Sequence, residues 1–293
     1  MFNPPTAPNR AGNLRGIRAA AGSLALGALS LMSAHAAFGA ETVSSVLKKM
    51  AENYTKAKSY QATITTVQVA KTPDGKPYTV TETEQVKYEN PNRFRQTVKA
   101  TGTGAALSGQ LAQQIQMLQH EIVSDGKTAT IYVPARKMYQ KQPVPPNLVV
   151  AQIVQVLRLV PPLDRPGLTL LPSGATVNGR QAYVVEMKPT APPNLKPDQA
   201  KQFAAAVKRF KQYPRLLIDK QNYNLLQYTL STTDGSAQID LSSQVFGGAI
   251  PGSTFAFNPP AGVKEYKAPP PAMHPNIGGF TPGGVPAPGV KPK

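Results

Sequence analysis

Apolar residues change their spacing several times along this chain, and each change marks an element. In residues 41–58, Val43, Val46, Leu47, Met50 and Tyr54 recur every three or four positions, the period of a helix with one apolar stripe. Residues 60–69 and 78–88 are instead rich in Thr and Val with partial alternation, and the turn-forming stretch 72–77 separates them, which predicts a long β-hairpin. A third strand is expected over 93–99. After the connection 100–109, a short helix is expected at 111–118. Ile122-Val123 and residues 130–133 then flank Ser124-Asp125-Gly126-Lys127, a hairpin-turn signal, and Met138-Tyr139-Gln140 continues the meander.

Residues 147–160 are more apolar than any other segment beyond the first 40. Pro145-Pro146 and Pro161-Pro162 bracket them, so the pattern predicts a helix that is either part of the core or a lid over apolar surface. Strands are expected again at 168–171, 175–177, 181–187, 215–219, 223–230, 237–241 and 255–257. The Pro-rich stretch 189–197 and a helix over 198–210 interrupt that series. About ten or eleven short strands joined by tight turns must lie mostly antiparallel. The fold class expected is therefore mainly β with helices (α+β), built on a single strongly curved antiparallel sheet with helices on one face.

The N-terminal pattern sets the compartment. Arg10, Arg15 and Arg18 precede an apolar run at 19–32, and Ala34-His35-Ala36 supplies small residues at the spacing of a signal-peptidase site. Residues 1–40 are expected to be an export signal, 41–267 the folded domain, and 268–293 a disordered Pro/Gly-rich tail. The expected location is periplasmic or otherwise exported, soluble after cleavage. The 32 Lys and Arg against 15 Asp and Glu give a net charge of +17. Such a surface attracts polyanions, but the cations are scattered and the chain is expected to be exported, so an anionic membrane or an envelope protein fits as a transient contact and nucleic acid does not.

The chemistry of catalysis is sparse. The chain has no Cys and three His, of which His35 lies in the leader and His274 in the tail. His120 alone has no metal-ligand spacing around it, so neither a metal nor another cofactor is expected. Glu82 and Glu84 share one face of a strand and read as the solvent face of an outer strand rather than as a catalytic pair. Asp74, Asp125 and Asp234 sit in turns. The chain is not expected to be an enzyme.

The order of landmarks resembles the LolA-like periplasmic lipoprotein carrier superfamily. The resemblance rests on the first helix running into Tyr54 and Tyr60; on 86–95 (VKYENPNRFR); on Ser124-Asp125-Gly126-Lys127 before 131–134 (IYVP); on 177–183 (VNGRQAY); on Leu216-Leu217-Ile218-Asp219; and on 255–263 (FAFNPPAGV). It implies an incomplete barrel whose helices cover an apolar cavity that holds acyl chains. At Asn90, before Pro91, the carrier has an arginine that helps hold its lid shut, so this chain is similar to a divergent member of the superfamily.

On this reading the protein is a carrier, expected to be monomeric, for a lipid or a lipidated protein. The alternative is a non-catalytic sensor or interaction module of the same fold. The candidate ligand-contacting residues are Val149, Ile153, Val156, Leu157 and Val160 on the lid segment, facing Ile64, Phe94, Ile131, Val184, Leu217 and Leu226 from the sheet. Arg93, Arg95, Arg136, Lys137 and Arg158 are the candidates for an anionic headgroup at the rim.

Overall fold

In the computed structural model, residues 41–72, 74–104, 109–144 and 165–267 are described. Helix α1 (Val43–Lys56) starts at a reciprocal cap: the Thr42 hydroxyl accepts the Ser45 N–H at 3.1 Å, and the Ser45 hydroxyl accepts the Thr42 N–H at 3.1 Å. Its apolar stripe of Val46, Leu47, Met50 and Tyr54 is buried, as the spacing predicts. The strands that follow are β1 (Ser59–Lys71), β2 (Pro77–Glu89) and β3 (Arg93–Thr103). Helix α2 (Gln110–Leu118) leads into β4 (His120–Asp125), β5 (Thr128–Val133) and β6 (Met138–Pro143). The second half carries β7 (Leu168–Val177), β8 (Arg180–Met187), helix α3 (Pro197–Lys208), β9 (Phe210–Asp219), β10 (Leu225–Thr232), β11 (Ser236–Phe246) and the two-residue β12 (Lys264–Glu265).

The twelve strands of the described residues belong to one sheet, in the order β12-β6-β5-β4-β3-β2-β1-β11-β10-β9-β8-β7. Every ladder is antiparallel except β12 with β6. Two meanders, β1 to β6 and β7 to β11, are thus laid side by side through the pairing of β1 with β11. This corrects the expectation of a strongly curved sheet forming an incomplete barrel. Closing a barrel requires the first and last strands to pair. Here β12 and β7 lie at opposite edges, and among the described residues no ladder joins them. Turn signals specify which strands are neighbours; they carry no information about closure.

Two strand expectations also change. Residues 168–171 and 175–177 are one strand, β7, with a register irregularity between Leu171 and Ala175. Phe255-Ala256-Phe257 is not a strand, because Gly252–Phe255 forms a 3-10 turn that buries Phe255, and the short strand of this region is β12.

The main core lies between α1 and one face of the sheet. Val46, Leu47, Met50 and Tyr54 meet Tyr60, Ala62, Tyr88, Phe94, Ile122, Val185, Leu216, Ile218, Leu225 and Leu241. Tyr54, Tyr60 and Phe246 form a ring cluster with centroids 4.9 to 5.5 Å apart. The two tyrosine hydroxyls are satisfied by one side chain. Gln244 Oε1 accepts from Tyr54 at 2.8 Å and Tyr60 at 3.2 Å, while its Nε2 donates to the Leu225 carbonyl at 2.7 Å. A register shift on β11 beside Ser243, whose φ is +51°, accompanies this placement of Gln244.

Candidate functional site

Strand alternation sorts the candidate residues between two faces. Phe94 is buried in the α1-face core, and Ile64 and Ile131 pack against it half-buried. Val184, Leu217 and Leu226 join a separate cluster with Val177 and Ala182, whereas their neighbours Val185, Leu216 and Leu225 face α1. The six sheet candidates are therefore not brought together on one surface. Val149, Ile153, Val156, Leu157, Val160 and Arg158 lie outside the described residues.

The two arginines flanking Phe94 point away from α1 and hold the chain's own C-terminal strap, residues 247–266. The Arg95 Nε donates to Glu121 Oε1 at 2.7 Å and its guanidinium donates to the Thr254 carbonyl at 3.0 Å. Arg93 pairs with Glu89 at 2.6 Å and stacks over the Phe255 ring at 4.6 Å. Farther along, Phe257 packs against Tyr132 and Tyr139, and Tyr139 donates to Glu265 at 3.1 Å. Between the strap and β3 to β6 runs a groove of about 690 Å³, bounded by Val123, Thr130, Lys141 and Phe255 among others. Arg136 and Lys137 are exposed in the turn between β5 and β6, where the Lys137 carbonyl accepts the Lys264 N–H at 3.2 Å.

The strap gives a direct prediction. Arg95 is about a third exposed, which weakens its charge-assisted bonds, so Arg95→Gln should cost the strap roughly 1 kcal/mol of local stability. Amide exchange at Thr254 and Ala256 should then quicken about fivefold while that of β1 and β11 stays unchanged. Equal protection in both proteins would mean that Phe255 and Phe257 hold the strap without the arginine.

A second group was misplaced by sequence reasoning. Glu82 and Glu84 were expected on the solvent face of an outer strand, but β2 is an interior strand and both residues share the parity of Val86 and Tyr88, which face α1. Glu84 lies opposite Ile64 on β1 and Val98 on β3; its neighbour Gln96 lies opposite Val86 and Ile122. Gln96 is 6% exposed, and its Nε2 donates to Glu84 Oε1 at 2.7 Å. Burial pushes the Glu84 carboxyl up to about 7, the Gln96 hydrogen bond opposing this and the Glu82 charge adding to it. Glu82 is raised by burial as well. Among the described residues neither carboxylate has an ion-pair partner.

Among the described residues no cluster of His, Asp and Glu is arranged to hold a metal ion, and no helix is long and apolar enough to cross a membrane.

The sequence pattern of one protein family, described as a predicted periplasmic protein (DUF2092), matches residues 44–267. No curated protein matches the sequence. Solved structures to which the chain is similar include an uncharacterized conserved protein from Thermus thermophilus, at 12% identity and a TM-score of 0.37, covering 77% of this chain and 99% of that one. The lipoprotein LppX of Mycobacterium tuberculosis is similar at 10% identity and a TM-score of 0.37, covering 71% and 97%. A LolA superfamily protein from Nitrosomonas europaea is similar at 11% identity and a TM-score of 0.27, covering 74% and 99%.

Proposed function

The chain belongs to the family of predicted periplasmic proteins described as DUF2092, and from that footing we propose that it is an exported, non-catalytic carrier holding the acyl chains of a lipid or lipidated protein against the α1 face of its sheet. In this proposal residues 1–40 are removed on export and 41–267 form the binding domain.

The observation that carries the proposal is the mismatch between the sheet and its helix. Helix α1 has 14 residues and is about 21 Å long, whereas twelve strands span roughly 50 Å. Around the α1 core the same face presents Ile64, Val86, Ile131, Leu168, Leu170 and Ile239, which pack against that core and are only half-buried. An apolar surface of that kind calls for cover. An acyl chain of about a dozen methylenes laid on it would gain on the order of 10 kcal/mol gross, less the cost of ordering the chain. The apolar segment 147–160, with Val149, Ile153, Val156, Leu157 and Val160, is the proposed cover for the bound chain. Transient contact with an anionic membrane fits the cationic surface that remains after Arg10, Arg15 and Arg18 leave with the leader, out of the +17 of the full sequence.

Uptake of a fluorescent long-chain acyl probe tests this directly. Wild-type protein should take up the probe, Val86→Arg on the α1 face should weaken uptake at least about tenfold, and Lys87→Glu on the other face should leave it within about twofold. Failure of folded wild-type protein to take up the probe would overturn the carrier reading. It would leave the interaction-module reading, which the groove beside the strap favours.

A further inference from the structure

The apolar α1 face carries a polar island whose hydrogen-bonding is one-sided. Gln96 is 94% buried, its Nε2 is spent on Glu84, and among the described residues its Oε1 has no partner. A buried carbonyl oxygen left without a donor is a cost that folded proteins rarely carry without a reason. Beside it stand the Glu84 carboxylate, with Gln96 as its hydrogen-bond donor, and Glu82 two residues along the same strand face. Once Glu84 is ionised, above about pH 7, the island therefore presents acceptors in excess of donors. Its cross-strand neighbours Ile64, Val86, Val98 and Ile122 supply no donor from their side chains.

We propose that Glu84 and Gln96, with Glu82 beside them, form a subsite for the hydrogen-bond-donor head of an acyl ligand, a protonated primary amine above all. An ammonium group carries three donors and a positive charge, so it meets both the unpartnered Gln96 oxygen and the carboxylates. A hydroxyl offers one donor and no charge. A carboxylate head offers none at neutral pH and is repelled. This inference rests on the carrier reading and adds to it the chemistry of the ligand's head.

The long-range field argues the other way, which makes the test sharp. The exported chain keeps most of the +17 of the full sequence, losing only Arg10, Arg15 and Arg18 with the leader, and so favours anionic ligands in general; a preference for amines must arise locally. Three probes of one chain length, a primary amine, an alcohol and a fatty acid, are titrated into the protein at pH 8 and physiological salt. Wild-type protein should bind the amine about tenfold more tightly than the acid, with the alcohol between them. Glu84→Gln, close in shape to the native residue, should bring amine and acid to within about twofold while keeping the alcohol bound. Gln96→Leu should weaken the alcohol and amine and leave the acid unaffected.

Equal binding of all three probes, or a preference for the acid, would overturn the subsite and leave the carrier standing. An amine preference that survives Glu84→Gln and Glu82→Gln together would also overturn it. If none of the three binds to folded wild-type protein, the carrier reading fails and the subsite with it.

Discussion

Replacing Leu47 with alanine is expected to lower the unfolding free energy by about 3 to 5 kcal/mol, the range for deleting a buried leucine whose surroundings cannot collapse into the space. Leu47 has no exposed surface and sits between Val46 and Met50, which are equally enclosed. A 14-residue helix is marginal by itself in water, so α1 exists because this stripe docks on the sheet. The stripe also closes over the Tyr54, Tyr60 and Phe246 rings, which a shifted helix would uncover. In urea the midpoint should fall with little change in slope, and Lys48→Ala, one residue along on the exposed side, should stay within about 0.5 kcal/mol of wild type. A Leu47→Ala cost below about 1 kcal/mol would show that α1 does not anchor the domain.

The second large effect is on the pH dependence of stability. Glu84 has its carboxyl raised to about 7 from an ordinary value of 4.5. Between those two values the folded protein holds a proton that the unfolded chain has released, so stability from this group is greatest below pH 4.5 and falls as pH rises to 7. The full difference is about 3 kcal/mol at most, since each unit is worth about 1.4. Glu84→Gln removes the penalty. The variant should match wild type near pH 4.5 and exceed it by about 2 to 3 kcal/mol at pH 8, read as the difference between two urea series. Glu82 and Tyr60 face the same region, and both also have raised values, so Glu82→Gln should move the Glu84 midpoint downward. A difference that is flat with pH would mean that Glu84 is hydrated in the folded protein.

Much of the local structure was legible in the chain. The three- and four-residue spacing of Val46, Leu47, Met50 and Tyr54 gave α1 and its buried face, and Thr72 to Pro77 and Ser124 to Lys127 gave two hairpins at their observed places. What the sequence could not give was the long-range pairing of β1 with β11, which no turn encodes and which makes one open sheet from two meanders. The distribution of candidates over two faces has a similar origin. In runs such as Ala182 to Met187 and Leu216 to Ile218, both parities are apolar, so alternation gives no sign of which one meets α1.

The acidic pair was legible and was misread. In β2, Val80, Glu82, Glu84, Val86 and Tyr88 share one parity, and the company of Val86 and Tyr88 placed the two carboxylates on the apolar face from the start. The roles of Arg93 and Arg95 were not legible, because their partners Thr254 and Phe255 lie about 160 residues away along the chain.

The most direct test of the carrier reading is mass spectrometry of organic extracts from the folded protein, purified without detergent from the compartment to which it is exported. A stoichiometric acyl-bearing lipid or peptide, absent from Val86→Arg prepared in the same way, is the predicted result. A clean extract from folded wild-type protein that also takes up no offered lipid would contradict it.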